Sequence, residues 1–238
     1  MGVLYLVRHG QAGTRDDYDS LSDLGRRQAR LLGEHFDAQG IRFRTVYSGA
    51  LARQRETAEV AVSAIGGAPA ITADPDWDEF DLAGVYRELA PLLAAEDEDF
   101  RRGFEDMRRA LAVSQGAHDA PVHRRWNDCD KNVVRAWIEE RYPYSGESWN
   151  AFERRIHRAL ARVAATGREG NAIVFTSATP IGVCAARTLE ISDGRAMWLA
   201  GVLFNASYST LRIRGDEIRL FSFNTTAHLG EAELRTFR

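Results

Sequence analysis

Short apolar runs alternate with longer amphipathic segments along most of the chain. Four runs of five to eight residues predict strands: residues 3–7, 44–49, 68–75 and 171–177. Four segments with apolar positions at three- and four-residue steps predict helices: residues 20–36, 51–66 and 147–165, and a stretch that begins near Pro180. Strands that alternate with helices predict an α/β fold, a three-layer sandwich with a mostly parallel sheet and helices on both faces.

The ends of these segments carry cap and turn signals. Ser22 or Asp23 is suited to cap the helix at residues 20–36. Thr179 is suited to cap the last helix, with a proline at its first position. Alternating residues on both sides of Gly215 and Asp216 predict a β-hairpin.

The middle of the chain lacks strand patterns. Residues 92–111 predict a charged helix in which Asp97 and Arg101 have a favourable four-residue spacing, and residues 128–138 predict another helix. We therefore expect one domain over residues 1–238 with a helical cap insertion at about residues 85–145.

The function of this insertion stays open. Its arginines have acidic residues one turn away, which favours a salt-bridged solvent face over a substrate-binding face. The stretch from His123 to Trp126 is a candidate lining for the mouth of a pocket.

Composition argues against several classes of function. The formal net charge of −3 gives no bulk electrostatic case for nucleic-acid binding. Two cysteines and six histidines stand in no metal-ligating spacing, so we expect neither a metal nor another cofactor. No apolar run approaches the ~20 residues of a membrane span, and the first residues lack a signal-peptide pattern. We expect a cytoplasmic protein without a nucleic-acid or membrane partner.

Reactive side chains follow all four predicted strands. In open α/β sheets, ligands bind beyond the carboxyl ends of the strands, so these side chains are expected to converge. They are Arg8 and His9 after the first strand, Ser48 and Arg53 after the second, Asp76, Asp78, Glu79 and Asp81 after the third, and Thr176 and Ser177 at the fourth.

Together these groups suit phosphoryl transfer. Arginine binds phosphate oxygens through two parallel hydrogen bonds and keeps its charge. A helix N-terminus adds N–H donors and positive potential. A neutral imidazole can attack phosphorus and form a covalent intermediate, and a carboxylic acid can protonate the leaving oxygen. Arginines can neutralise the developing charge without a metal. A small phosphorylated molecule is the expected substrate.

Several stretches, in this order, resemble the histidine phosphatase superfamily, which includes the phosphoglycerate mutases. The series begins with YLVRHGQ and LSDLGRRQA and continues with SGALARQRETAEVA, DPDWDEFDLAG, GESWNAFERRIHRAL and FNTTAHL. The resemblance covers residues 3–81 and about 145–230, and it leaves the helical insertion unmatched.

The resemblance implies a role for each matching residue. It implies that His9 is the nucleophile that becomes phosphorylated, and that Arg8 and Arg53 bind the phosphate. Glu79 would donate a proton and then accept one, and Gln11 would lie at the rim of the pocket. The competing interpretation of His9 is a buried structural histidine at a strand end.

Two of these assignments have alternatives nearby in the sequence. Asp78 or Asp81 could be the proton donor in place of the neighbouring glutamate. Arg53 could instead be a solvated helix residue that pairs with Glu56 or Glu59.

The chain departs from the family at a second histidine, which the family carries in a strand-end motif of the Ser-His-Gly type. Here the stretch is FTSATPIG, which puts Ser177 at that position, or Ala178 after a shift by one residue. Ser177 can donate a hydrogen bond to phosphate but carries no charge. Its alternative role is that of a cap neighbour without ligand contact.

These departures shape the expected activity. Loss of one charge-assisted hydrogen bond costs roughly 1.5–3 kcal/mol, which an enzyme can survive. Ala12 follows RHGQ where the family often has serine or threonine, and this favours a phosphatase over a mutase. We predict a metal-independent phosphomonoester phosphatase. The alternatives are a catalytically weak phospholigand-binding or regulatory protein and a phosphoglycerate mutase-like enzyme.

Overall fold

One six-stranded sheet forms the centre of the computed structural model, which describes residues 2–13, 17–114, 127–166, 170–215 and 217–237. The strands are β1 (Gly2–Arg8), β2 (Thr45–Ser48), β3 (Ile71–Ala73), β4 (Ala172–Thr176), β5 (Tyr208–Arg214) and β6 (Glu217–Thr225). Their order across the sheet is β3-β2-β4-β1-β5-β6.

Strands β1 to β4 are parallel, and β5 and β6 are antiparallel strands at one edge. All five residues of β4 are buried. Because successive side chains of a strand point to opposite faces, both faces of the sheet are covered at β4. The predicted α/β fold with a mostly parallel sheet is confirmed.

Eight α-helices and two short 3-10 helices lie in the described part of the chain. The α-helices are α1 (Asp23–Ala38), α2 (Ala52–Ser63), α3 (Leu82–Glu96), α4 (Glu98–Val113), α5 (Asp128–Ile138), α6 (Trp149–Thr166), α7 (Ala178–Leu189) and α8 (Asp193–Gly201). The 3-10 helices are Pro75–Trp77 and Ala232–Leu234. None of the described helices has both the length and the apolar content that a membrane crossing needs.

The apolar side of α1 packs on the parallel strands. Leu32 and Phe36 of this helix are fully buried beside Val7, Val46 and Phe175 of three neighbouring strands. Burial of one such side chain contributes about 1.5–3 kcal/mol, so this face fixes the helix on the sheet. The predicted cap is also confirmed, because the Ser22 hydroxyl accepts a hydrogen bond from the Gly25 N–H at 3.0 Å.

The chain divides into two compact units, Met1–Glu79 with Arg155–Arg238, and Phe80–Arg154. The second unit contains α3, α4 and α5. The rings of Phe80 and Trp137 stack in it with 4.5 Å between centroids, and the Tyr86 hydroxyl donates to Asp130 Oδ1 at 2.5 Å. The single-domain description with a cap insertion at about residues 85–145 stays a prediction.

The predicted helix over residues 92–111 is two helices. Asp97 separates α3 from α4 and accepts from the Phe100 N–H at 2.9 Å, so it caps α4 instead of pairing with Arg101. Arg101 pairs with Glu98 one turn earlier. The helix pattern continued through this break because a capping aspartate and a surface aspartate look alike in sequence.

Helix α7 starts earlier than predicted. It begins at Ala178 with Ser177 as its N-cap residue, so Thr179 is not the cap. Pro180 stands third in the helix and is tolerated there, because first-turn N–H groups have no partner within the helix. The predicted hairpin is present around Gly215, whose φ of +62° favours glycine. Asp216 and the stretch from His123 to Trp126 lie outside the described residues.

Candidate active site

The carboxyl ends of the parallel strands bring the predicted site residues to one edge of the sheet. Arg8 at the end of β1 is in register with Thr176 at the end of β4, and the His9 N–H donates to the Thr176 carbonyl at 2.8 Å. His9 and Ser177 therefore leave adjacent strands side by side. Ser48 ends β2 on the other side of β4.

The backbone fixes the tautomer of His9. Its Nδ1 lies 2.7 Å from the Gly10 carbonyl oxygen, which can only accept, so Nδ1 carries the proton. The Nε2 atom accepts from Arg53 Nε at 3.3 Å and holds the lone pair. The imidazole is 1% exposed. This is the arrangement that a nucleophilic imidazole requires.

The surroundings keep this imidazole neutral. Burial lowers the pKa of His9 well below its usual value, and the positive charges of Arg53 and Arg8 lower that pKa further. His9 is thus neutral and nucleophilic at pH values where an exposed histidine would be partly protonated.

Arg53 lies buried in the first turn of α2. Its Nη1 pairs with Asp19 Oδ1 at 3.0 Å, while Glu56 pairs with Arg26 at 2.5 Å. The alternative of a solvated Arg53 paired with Glu56 is therefore wrong. The guanidinium lies against the nucleophile instead.

Arg8 directly precedes His9 in the chain. It is the last residue of β1, and it is buried. Its Nη1 donates to the Leu203 carbonyl, and its Nη2 donates to the Phe237 carbonyl at 3.2 Å. The positive charges of Arg8 and Arg53 both lower the pKa of His9. Burial lowers the pKa of Arg8, and the charge of Arg53 lowers it further by a smaller amount. The two guanidiniums therefore converge on His9 as predicted from the strand ends.

Glu79 lies at the N-terminus of α7, where its Oε2 accepts from the Thr179 N–H at 3.2 Å. The Glu79 carboxylate is also close enough to Arg8 to oppose the fall in the pKa of that guanidinium. A carboxyl group at a helix N-terminus is stabilised by the exposed N–H groups and the helix dipole. Glu79 thus lies near both Arg8 and the N-terminus of α7.

The two other candidate acids are engaged with backbone amides. Asp78 Oδ1 accepts from the Ala50 N–H at 2.6 Å and from the Leu51 N–H at 3.3 Å. Asp81 is the N-cap residue of α3 and accepts from the Gly84 N–H at 2.9 Å. Glu79 also accepts from a backbone N–H, so these contacts leave all three carboxyl groups as candidate acids. Burial raises the pKa of Asp78, and Glu79 is the one of the three that acts on the Arg8 guanidinium.

Ser177 is 1% exposed and does not cap α7 through its side chain. Its Oγ accepts from Gln54 Nε2 at 2.8 Å, and the same amide donates to the Trp77 carbonyl at 3.3 Å. Because Ser177 is the acceptor of this bond, its own hydroxyl proton stays available for an anion.

Gln11 lies against the start of α1. The Ser22 hydroxyl lies 3.0 Å from both the carbonyl and the side-chain oxygen of Gln11. The Gln11 N–H donates to Gln28 Oε1 at 2.8 Å. Gln11 therefore joins the loop after β1 to this helix.

Sequence reasoning missed two residues that contact His9 or Arg53. The Arg53 guanidinium lies over the Tyr18 ring at 4.6 Å, and the ring centroids of Tyr18 and His9 are 6.2 Å apart with edge-on geometry. Asp19 also accepts from the N–H groups of Ala52 and Arg53 at 3.1 and 3.3 Å. Nothing in the local pattern distinguishes this tyrosine and aspartate from ordinary loop residues.

The structure combines an α/β sheet with a buried, neutral histidine that lies near two arginines at the carboxyl edge of that sheet. The family model of the histidine phosphatase superfamily (branch 1) matches residues 4–135 and 109–226. The chain belongs to this superfamily. The resemblance noted from the sequence motifs is confirmed.

Curated relatives are similar over part of their length. The Caenorhabditis briggsae Pgam5, a mitochondrial serine/threonine-protein phosphatase, is 24% identical to this chain over 157 residues. The match covers 61% of this chain and 52% of that protein. The Drosophila grimshawi Pgam5 matches with 34% identity over 168 residues, at 61% and 53% coverage. This chain spans about half the length of these relatives.

Solved structures share the fold over nearly the whole chain. Bacillus stearothermophilus YhfR superposes with a TM-score of 0.65 at 16% identity, covering 95% of this chain and 98% of that chain. A mycobacterial glucosyl-3-phosphoglycerate phosphatase in complex with inorganic phosphate superposes with a TM-score of 0.62 at 22% identity, covering 96% and 99%. At these identities the likeness establishes the fold.

Proposed function

We propose that this chain is a phosphatase that hydrolyses a phosphomonoester through a phosphohistidine at His9, without a metal ion. The observation that carries the proposal is the fixed His9 tautomer, with Nδ1–H held by the Gly10 carbonyl and the Nε2 lone pair beside Arg53. The depressed pKa of His9 keeps Nε2 unprotonated. Among the described residues, no group of three or more His, Cys, Asp and Glu side chains could hold a metal ion.

Substrate binding uses the positive groups around the imidazole. Arg8 and Arg53 neutralise the phosphoryl oxygens, and the N-terminus of α7 adds positive potential. Ser177 donates its hydroxyl proton where the family has its second histidine. Its uncharged hydrogen bond is weaker than one from imidazolium, so we expect modest turnover.

The first half-reaction transfers the phosphoryl group to His9. The Nε2 lone pair forms a bond to phosphorus while the bond from phosphorus to the ester oxygen breaks. The leaving oxygen takes a proton from the Glu79 carboxyl group and departs as an alcohol. His9 then carries the phosphoryl group on Nε2, and Glu79 is a carboxylate.

The second half-reaction restores the enzyme. The Glu79 carboxylate takes a proton from a water molecule, whose oxygen attacks the phosphoryl group. The bond between phosphorus and Nε2 breaks, and its electron pair returns to His9. Inorganic phosphate leaves, and Glu79 is protonated again. Atoms and charges therefore balance without a cofactor.

The substrate is a phosphorylated molecule whose leaving group is an alcohol. Similar proteins are named as a glucosyl-3-phosphoglycerate phosphatase and as serine/threonine-protein phosphatases. We propose a small phosphomonoester as the substrate, and phosphoserine peptides are the comparison to test. A cytoplasmic location also stays a proposal.

Covalent trapping tests the mechanism. The chain is mixed with ³²P-labelled aryl phosphate, quenched in base, in which phosphohistidine is stable, and digested for peptide mapping. We expect label on the peptide that contains His9, and none in a His9→Asn variant that keeps the wild-type melting temperature. Wild-type turnover without a labelled histidine, or normal turnover by His9→Asn, would refute the phosphohistidine mechanism.

One observation favours the second candidate, a phospholigand-binding protein. Asp19, an anionic side chain, already pairs with Arg53 at 3.0 Å, and Ser177 replaces a cationic family residue. Phosphate binding at micromolar concentration without any turnover or label would support this candidate over the enzyme.

A further inference from the structure

Two backbone carbonyls far along the chain hold the Arg8 guanidinium. The Leu203 carbonyl accepts from Nη1, and the Phe237 carbonyl accepts from Nη2 at 3.2 Å. Arg8 Nε is buried without an acceptor among the described residues, and the Tyr18 side chain lies close enough to Arg8 to oppose the fall in the pKa of the guanidinium. A guanidinium is planar, so two bonds at its Nη atoms fix the direction of the remaining N–H. Backbone groups of Leu203 and Phe237, far from β1 in sequence, thus set the orientation of the Arg8 side chain.

The segment of residues 234–237 is in turn held by Asn205 and Gln28, which both bond to one hydroxyl group, that of Thr236. Thr236 Oγ1 donates to Asn205 Oδ1 at 2.9 Å and accepts from Gln28 Nε2 at 3.0 Å. The backbone reinforces this contact, because the Asn205 N–H donates to the Thr236 carbonyl at 2.8 Å and Gln28 Nε2 also donates to the Leu234 carbonyl at 2.7 Å. Thr236 therefore lies between two side-chain amides.

Both amides also hold the loop that carries the nucleophile. Gln28 Oε1 accepts from the Gln11 N–H at 2.8 Å. Asn205 Nδ2 lies 3.4 Å from both the His9 and the Gly10 carbonyl oxygens. The Gly10 carbonyl is the acceptor that fixes the His9 tautomer. The Thr236 hydroxyl thus links the segment that bonds to Arg8 with the two amides that hold the loop of His9.

We propose that Thr236 is a positioning residue of the active site, which orients Arg8 for phosphate through the segment of residues 234–237. This rests on the proposed function only in taking the anion beside His9 to be a phosphoryl group. Thr236 itself acts through the carbonyl of Phe237 and the amides of Asn205 and Gln28.

Three variants separate positioning from general stabilisation. Thr236→Val keeps the shape of the side chain and removes the hydroxyl, and Thr236→Ser keeps the hydroxyl. Glu231→Gln is the matched control, because Glu231 lies three residues before this segment and pairs with Arg27 at 3.2 Å on the exposed surface. The measurements are the dissociation constant of inorganic phosphate by calorimetry, kcat and KM for p-nitrophenyl phosphate, and the melting temperature.

For Thr236→Val we expect phosphate to bind about ten-fold more weakly and kcat/KM to fall by a similar factor. Thr236→Ser and Glu231→Gln should both stay within about two-fold of the wild type. Phosphate affinity within two-fold of the wild type in Thr236→Val would overturn the proposal. So would an equal loss in Thr236→Ser, because the hydroxyl would then be irrelevant.

A double-mutant cycle tests whether the effect passes through Arg8. In an Arg8→Met background, Thr236→Val should change phosphate affinity by less than about two-fold. A full ten-fold loss in that background would overturn the proposed route. If Arg8→Met does not fold, the proposal is tested only by the ratio of the phosphate affinities of Thr236→Val and Thr236→Ser. If the chain proves to have no turnover, the proposed function fails while the phosphate measurements still test this inference.

Discussion

His9 owes its low pKa to groups that the rest of the chain brings to it. Burial and two nearby guanidiniums all disfavour the imidazolium form of His9. The Gly10 carbonyl opposes them slightly by accepting from Nδ1. The resulting neutral imidazole is a better nucleophile at mildly acidic pH than a solvated one.

Replacing Arg53 tests this balance of charges. Arg53→Gln removes a positive charge and should raise the His9 pKa toward 6.5, without reaching it because burial persists. The measurement is an NMR titration of the His9 ring in phosphate-free buffer. Arg26→Gln is the control, since Arg26 is an exposed arginine that pairs with Glu56. An unchanged His9 pKa in Arg53→Gln would show that charge is not a cause of the shift.

Ser177, which we propose to stand where the family has its second histidine, gives a second prediction at this scale. Ser177→Ala removes a neutral donor and should weaken phosphate binding by roughly three- to ten-fold, from a net hydrogen bond of about 0.5–1.5 kcal/mol. Ser48→Ala is the control, because Ser48 Oγ is also buried at a strand end and makes no hydrogen bond among the described residues. Equal phosphate affinity in both variants would remove Ser177 from the site.

At the scale of elements, the loop after β1 and the first turn of α1 approach closely enough to require glycine. A Cβ atom added to Gly25 would lie 2.3 Å from the Gln11 carbonyl oxygen, and one added to Gly10 would lie 2.5 Å from the Gly25 carbonyl oxygen. Both obstacles are backbone atoms, which cannot rotate away. The glycine of the LSDLGRRQA motif is thus explained by packing.

Gly25→Ala should therefore destabilise the protein although alanine favours helices. Overpacking costs about 1–3 kcal/mol, which outweighs a helix propensity gain of up to ~1 kcal/mol. We expect a lower melting temperature and reduced kcat/KM, because the displaced loop carries His9. Gly194→Ala in α8 is the control, since nothing lies within 4 Å of its added Cβ atom, and it should be neutral or stabilising. Urea unfolding and p-nitrophenyl phosphate turnover of both variants provide the check, and a stabilised, fully active Gly25→Ala would contradict it.

At the scale of the whole molecule, buried neutral histidines make the fold sensitive to acid. Burial, followed by the nearby His35, lowers the pKa of His228 to about 4. In the unfolded chain this pKa returns to about 6.5, so the unfolded state binds more protons between those values. The contribution of His228 to stability is therefore complete above pH 6.5 and is lost as the pH falls toward 4.

His228→Phe should flatten this pH dependence. Its ring neighbours are His35 and Tyr208, at 5.8 and 6.1 Å between centroids, so an aromatic substitute keeps the packing. Between pH 7 and pH 5 the wild type should lose roughly 2 kcal/mol more unfolding free energy than the variant, close to 1.4 kcal/mol per pH unit below 6.5. Urea unfolding at both pH values measures this difference. The same loss in both proteins would assign acid sensitivity to other groups.

The sequence by itself predicted the elements and most of the chemistry. Four strands, the helices with a long apolar stripe and the Ser22 cap were predictable because each depends on residues within a few positions of one another. Arg8, His9 and Arg53 were predictable as a set because a parallel sheet collects strand ends at one edge. The break at Asp97 and the start of α7 were not, since several neighbouring residues offer equally good caps.

Only the tertiary structure decided how the site is held. It paired Ser177 with Gln54, covered His9 with Tyr18, and turned Arg8 toward the carbonyl of Phe237, 229 positions away along the chain. It also placed Glu79 near Arg8 and the N-terminus of α7, and gave Asp78 and Asp81 other backbone partners. These contacts carry no periodic signal. They join residues distant in sequence, through backbone groups that every residue shares, so only the folded chain defines them.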